Sequence, residues 1–184
     1  MSEKSPVTTL DIDLGCVVRN LNRVREQMNG KGVICVIKAF GYGTDDIALA
    51  KLLQKQGVEY LAVSCADEGV RLREAGVTSR ILILNPDNST FDDLVENNLE
   101  PTLLSIKHLE AYVVWAEKKG LEGSPVHINI NSGMNRLGFE VSDLLEIERI
   151  IVESDLNVAT VYSHLAGSND HCFDGKTLKQ LELF

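Results

Sequence analysis

No Cys-x-x-Cys pair occurs in this sequence, and Cys16, Cys35, Cys65 and Cys172 are too irregularly spaced for a zinc site or a disulfide scaffold. Basic residues are in the minority: 18 Lys and Arg against 27 Asp and Glu give a formal charge of −9. That balance argues against nucleic acid or an anionic membrane as a partner and leaves room only for a local basic pocket that takes a phosphate. No apolar run approaches the roughly 20 residues of a membrane-spanning helix, and Met1 to Pro6 holds no signal core. A Gly-x-Gly-x-x-Gly fingerprint is also missing after the first apolar run, which disfavours a dinucleotide-binding fold. The expectation is a cytoplasmic protein with no metal, in which Cys35, lying in an apolar run, is a buried free thiol.

What is present is a repeat of short apolar runs and longer amphipathic ones. The apolar runs are Val33–Ile37, Tyr60–Val63, Ile81–Leu84, Pro101–Leu104, Val126–Ile130 and Val158–Tyr162. Aliphatic and β-branched residues without strict alternation predict parallel strands buried on both faces. Helical patterns lie between them, over 46–56, 66–75, 89–97, 106–119 and 141–153, with another starting near Lys176. Asp45, Ser105 and Ser142 stand where N-caps are wanted, and Gly57, Gly76 and Gly120 follow helical runs. Ahead of the first strand, Asp13 could cap a helix with Leu14, Val17, Val18, Leu21, Val24 and Met28 on one face. Such repetition means βα units, in an open doubly wound sheet or a (β/α)8 barrel. About six units are present where a whole barrel takes about 250 residues, and Leu181 to Phe184 ends inside a helical pattern, so a partial barrel is expected.

Chemistry concentrates at Lys38. The run from Val33 to Ile37 delivers a lysine at the strand's C-terminal end, and Gly41 and Gly43 flank Tyr42 in the turn that follows. In parallel βα folds these strand ends form the mouth of the active site. Burial there disfavours the ammonium and frees the amine to attack a carbonyl, although a lysine snorkelling from a strand end looks the same in sequence. Tyr42 alone could be a turn aromatic covering the core, Arg136 a surface arginine, His164 a hydrogen-bonded core histidine and Asn129 an inward polar side chain. Asp45-Asp46 and Asp67-Glu68 read as acidic helix starts, and Trp115 as core. His108, His127 and His171 show no metal-ligand arrangement.

Three segments together carry a resemblance. Lys38-Ala39-Phe40-Gly41-Tyr42-Gly43 resembles the cofactor-lysine motif of alanine racemases. The stretch from His127 to Phe139, with Asn129, Gly133-Met134-Asn135-Arg136 and Leu137-Gly138, resembles that family's fifth-strand motif. Tyr162-Ser163-His164-Leu165-Ala166 resembles its sixth-strand motif, and Gln180 to Phe184 fits the helix after it. The likeness runs from about Thr9 to the end of the chain and favours the barrel over the open sheet.

The resemblance implies a pyridoxal 5'-phosphate (PLP) enzyme that interconverts L-alanine and D-alanine for peptidoglycan. Lys38 would bond covalently to PLP and act as one of two acid/base groups, and Tyr42 would help hold the phosphate. Arg136 would lie near the cofactor's phenolic oxygen and the substrate carboxylate. His164 would pack at the cofactor. Asn129 departs from the pattern, because many members carry a carbamylated lysine there that faces the arginine. Arg136 is therefore expected to pair with a bound anion or with Asn129, and a broader substrate range becomes an alternative. On this view residues 1–184 are the N-terminal part of the barrel. The last strands, a C-terminal β-domain and the partner-subunit tyrosine of a homodimer lie outside it, so the chain alone should be inactive. Ala39 to Gly43 and Ala66-Asp67-Glu68-Gly69 also resemble versions fused to a cell-wall ligase, which the Met1 start does not support. A non-catalytic PLP carrier of the same barrel is the other alternative, and a basic amino-acid decarboxylase a third that the Lys38–Tyr42 spacing disfavours.

Overall fold

The computed structural model describes residues 8–121 and 123–184, so the Met1 to Pro6 start lies outside the described residues. Six parallel strands form a curled sheet in chain order: β1 (Ile34–Val36), β2 (Tyr60–Val63), β3 (Arg80–Ile83), β4 (Leu99–Leu103), β5 (Pro125–Asn129) and β6 (Asn157–Tyr162). Every neighbouring pair is parallel, and each strand except the two at the ends has two neighbours. The connecting helices are α2 (Asp46–Lys55), α3 (Ala66–Glu74), α4 (Phe91–Glu96), α5 (Ile106–Lys119) and α6 (Leu144–Ser154). Helix α1 (Leu14–Gln27) precedes the sheet and α7 (Asp174–Leu183) follows it. Consecutive parallel strands with a helix after each are the arrangement of an incomplete (β/α)8 barrel.

Strand alternation sorts side chains into two layers. Leu61, Val63, Ile81, Ile83, Leu99, Leu103, Val126 and Ile128 point toward the helices, where Leu53, Leu72, Leu94, Leu109 and Tyr112 meet them in the main core. The concave face carries a different set. Tyr60, Ala62 and Leu82 form a small cluster there with Leu84 and Tyr162, and Glu100, Thr102, His127 and Asn129 are buried polar residues. A core on the helix side and a polar concave face are what a barrel with a site in its mouth requires.

Helix boundaries follow the expected caps, with exceptions. Asp13 accepts from the amides of Gly15 (2.7 Å) and Cys16 (3.2 Å), Asp45 from Ala48 (2.9 Å) and Ser105 from His108 (3.2 Å). Ser142 does not cap. It lies inside a 3₁₀ turn, Val141–Asp143, whose start is tied by the Glu140 amide donating to Asp143 (3.0 Å). Asp46 is more than a dipole partner, since it is buried and paired with Arg71 of α3. Cys35 is half-buried, although burial still pushes its thiol up. Along α1 only Leu21 of the expected apolar face is buried, while Val17 is partly buried against the main core. Trp115 is partly buried against the core.

Candidate active site

At the C-terminal ends of the strands a cavity of about 450 Å³ opens. Ile34, Val36, Ala62, Leu82 and Leu84 give it an apolar floor, and Lys38, Tyr42, Asn129, Arg136 and His164 stand around it. All five residues singled out in the sequence therefore reach one space, together with Tyr162, Asn85 and Ser64. Asn85 lies two residues past the end of β3, so its position beyond a strand end was the available signal. Tyr162 lay inside a recognised motif without being read as a lining residue.

The segment carrying Lys38 has an unusual backbone. Ile37 is buried and its amide donates to the Ala62 carbonyl (2.9 Å), continuing the sheet by one residue. Ala39, Phe40, Gly41 and Tyr42 then all have φ between 51° and 65°, forming a turn of left-handed helix closed by Gly41 N–H to Ile37 C=O (3.0 Å). A left-handed residue with a Cβ costs about 1–2 kcal/mol, so this turn must be held from outside. At Gly41 a Cβ would lie 2.8 Å from the Leu49 and Thr44 side chains and 3.1 Å from the Asp46 amide nitrogen, so those neighbours would have to shift. Glu68 of α3 is the strongest outside hold, accepting from the Ala39 amide (2.6 Å) and the Ser64 amide (2.7 Å). In the sequence it looked like an acidic helix start and nothing more. Phe40 is exposed with the Arg71 guanidinium over its ring at 4.3 Å.

Arg136 rides on a bracket after β5. The Phe139 amide donates to Asn129 C=O and the Asn131 amide to Phe139 C=O, both at 2.8 Å, so the chain returns to its own strand with the buried Phe139 ring as anchor. Inside the bracket Asn131 accepts from the amides of Gly133 (3.2 Å) and Asn135 (2.9 Å) and donates to Glu140 (2.8 Å). Gly138, at φ 109°, packs so closely on Asn129 that a Cβ would lie 2.6 Å from its side-chain oxygen. No hydrogen bond joins Asn129 to Arg136 among the described residues.

His164 is set by the next strand and by α7. Gln180, almost fully buried, donates to the His164 carbonyl (3.1 Å) and accepts from the Ala166 amide (2.9 Å). Burial lowers the His164 imidazole below its ordinary value, and the positive charges of Arg136 and Lys38 lower it further. Burial raises the Tyr162 phenol, while contacts to Thr102 (3.1 Å between hydroxyls) and Asn129 pull it down.

Below the cavity lies a network the sequence did not disclose. Glu100 accepts from Arg80 through two nitrogens (2.7 and 3.0 Å), from the Tyr60 hydroxyl (3.0 Å) and from His127 Nε2 (3.1 Å). His127 is fully buried, and its Nδ1 shares a 2.7 Å hydrogen bond with Thr160. Burial raises the Glu100 carboxyl, but the bonds from His127, Arg80 and Tyr60 outweigh it and hold the group below the usual carboxylate range. Burial and the bond to Glu100 push the Tyr60 phenol up to about 12.

The family described as alanine racemase, N-terminal domain, matches residues 12–184. The chain belongs to that family. It is 32% identical over 179 residues to an alanine racemase of Fusobacterium nucleatum, covering 96% of this chain and 49% of that protein. To an alanine racemase of Methanococcus maripaludis it is 32% identical, covering 87% and 44%. Among solved structures, an alanine racemase of Clostridium difficile in complex with cycloserine superposes with a TM-score of 0.84 at 32% identity, covering 92% of this chain and 47% of that one. The Bacillus anthracis enzyme with bound L-Ala-P gives 0.82 at 27% identity, covering 94% and 45%. This member of the family thus spans about half the length of the curated relatives it matches.

Proposed function

We propose that the protein carrying this chain is a PLP-dependent racemase that interconverts L-alanine and D-alanine, supplying D-alanine for peptidoglycan. The observation that carries the reading is the meeting of Lys38, Tyr42, Arg136 and His164 around one cavity in a chain of this family. The cavity's residues suit PLP. Its apolar floor fits a flat ring, its lysine an aldehyde, and its fixed cations the anionic substituents, within the usual 300–1,000 Å³ (roughly) of small-molecule sites.

In this reading PLP, when bound, supplies the electron sink that makes the substrate's α-proton acidic. Lys38 would hold the cofactor covalently and, once the substrate amine has displaced it from that bond, its freed amine would move the proton on one face of the α-carbon. Tyr42 would help hold the phosphate. Arg136 would bring a permanent positive charge to the phenolic oxygen and the substrate carboxylate, with an anion as its partner because Asn129 brings no charge. His164, held toward its neutral form, packs on the cofactor without adding a charge. The second acid/base group comes from the partner in a cytoplasmic homodimer. The remaining barrel strands and a C-terminal β-domain lie outside residues 1–184.

The test is racemisation of L-alanine by the full-length protein with PLP. Turnover is expected, and Lys38→Ala should lower it by at least about a hundredfold, the scale of a lost acid/base group. Equal or faster turnover of other amino acids would move the reading to a broad-specificity racemase. PLP bound with no turnover of any amino acid would overturn it in favour of a carrier.

A further inference from the structure

We infer that Glu68 is a positioning residue for Lys38: its carboxylate holds the left-handed turn that aims the lysine amine into the cavity. The inference rests on Lys38 being the amine that takes up PLP. Three observations carry it. First, the turn is built mainly from residues that resist it, with Ala39, Phe40 and Tyr42 all at positive φ. Second, the Ala39 amide, directly after Lys38, donates to Glu68 at 2.6 Å. Third, the other oxygen of the same carboxylate takes the Ser64 amide, at the end of the neighbouring strand, at 2.7 Å. One side chain therefore ties the backbone on the far side of Lys38 to the fixed rim of β2. Ile37, just before Lys38, is already tied to β2 through Ala62. Lys38 is thus clamped on both sides, and only the second clamp is a side chain.

Charge makes this clamp strong, because a carboxylate accepting backbone N–H groups forms shorter and stronger bonds than a neutral acceptor. Glu68→Gln keeps one carbonyl oxygen and can satisfy one of the two amides, while its NH₂ faces the other as a second donor. Glu68→Leu satisfies neither. Ala39→Gly removes the steric cost of the left-handed conformation and leaves the turn needing less support.

The test uses the full chain and inorganic borohydride. Protein is incubated with PLP, reduced, and mapped by peptide mass spectrometry, while the visible band of lysine-bound cofactor is recorded before reduction. Wild type should carry the adduct at Lys38. Glu68→Leu should need a roughly tenfold higher PLP concentration for half-occupancy, the scale of a lost charge-assisted hydrogen bond, with a shifted visible band. Glu68→Gln should fall between the two. Adding Ala39→Gly to Glu68→Leu should recover most of the occupancy, which a general loss of folding would not allow. Unchanged occupancy and band in Glu68→Leu would overturn the inference, as would a Glu68→Leu defect that Ala39→Gly leaves untouched. An adduct on wild type at lysines other than Lys38 would instead refute the assignment of Lys38 itself.

Discussion

Glu100 lies on β4 facing the concave side, and one carboxylate there meets three donors from three other strands. Its value to the fold lies in satisfying His127, whose Nε2 has no access to water. Glu100→Gln keeps the volume but removes the charge and one acceptor oxygen, and should destabilise by about 1–3 kcal/mol. The Arg80 contribution is discounted, since its side chain is 45% exposed. Because the folded carboxyl titrates below its unfolded value of 4.5, this stabilisation is complete above that value and is lost as pH falls through the folded one. Urea midpoints measured from neutral pH down to about pH 3 should fall less steeply for Glu100→Gln than for wild type, and parallel slopes would contradict the assignment.

At the scale of elements, the bracket from Asn131 to Phe139 is a closed device whose tightest point is Gly138. A methyl group there would meet Asn129 Oδ1 at 2.6 Å, Asn129 C=O at 2.8 Å and Asn131 N at 2.9 Å, at a φ of 109°. Two of these atoms are backbone, so even if the Asn129 side chain turns away the bracket itself must move. Gly138→Ala should therefore cost at least about 2 kcal/mol and displace Arg136 from the cavity. Thermal unfolding checks the first part, and a crystal structure of the variant the second. The Lys38 turn shows the opposite strategy. There strain is kept, and a side chain from the next helix holds it in place.

Taken whole, the sheet ends at β1 and β6, and neither end strand has a second neighbour among the described residues. Apolar side chains are exposed at both: Ile34 (43%) and Val36 (40%) on β1, and Val161 (52%) on β6. Unpaired strand edges beside apolar surface favour association between chains. Residues 1–184 expressed alone should therefore self-associate as concentration rises. Analytical ultracentrifugation giving a stable monomer across a hundredfold concentration range, about the span accessible, would count against this.

The positions of strands and helices, and five of the cavity residues, were legible in the sequence because they depend on local signals, whereas the barrel order of the strands followed only from the family resemblance. Short apolar runs such as Tyr60–Val63 and Val126–Ile130 fit buried strands, caps such as Asp45 and Ser105 announce the helices, and the motifs around Lys38, Arg136 and His164 sit just past strand ends. What the sequence left hidden depends on partners far along the chain. Glu68 became a clamp because α3 runs back beside the Lys38 turn, 29 residues away, and a first-turn glutamate there has the same local signature as an ordinary helix start. His127 and Glu100, 27 residues apart, became a buried ion network only when parallel pairing set their strands side by side. A carboxylate's neighbours, and hence its charge state and its task, are set by the tertiary fold.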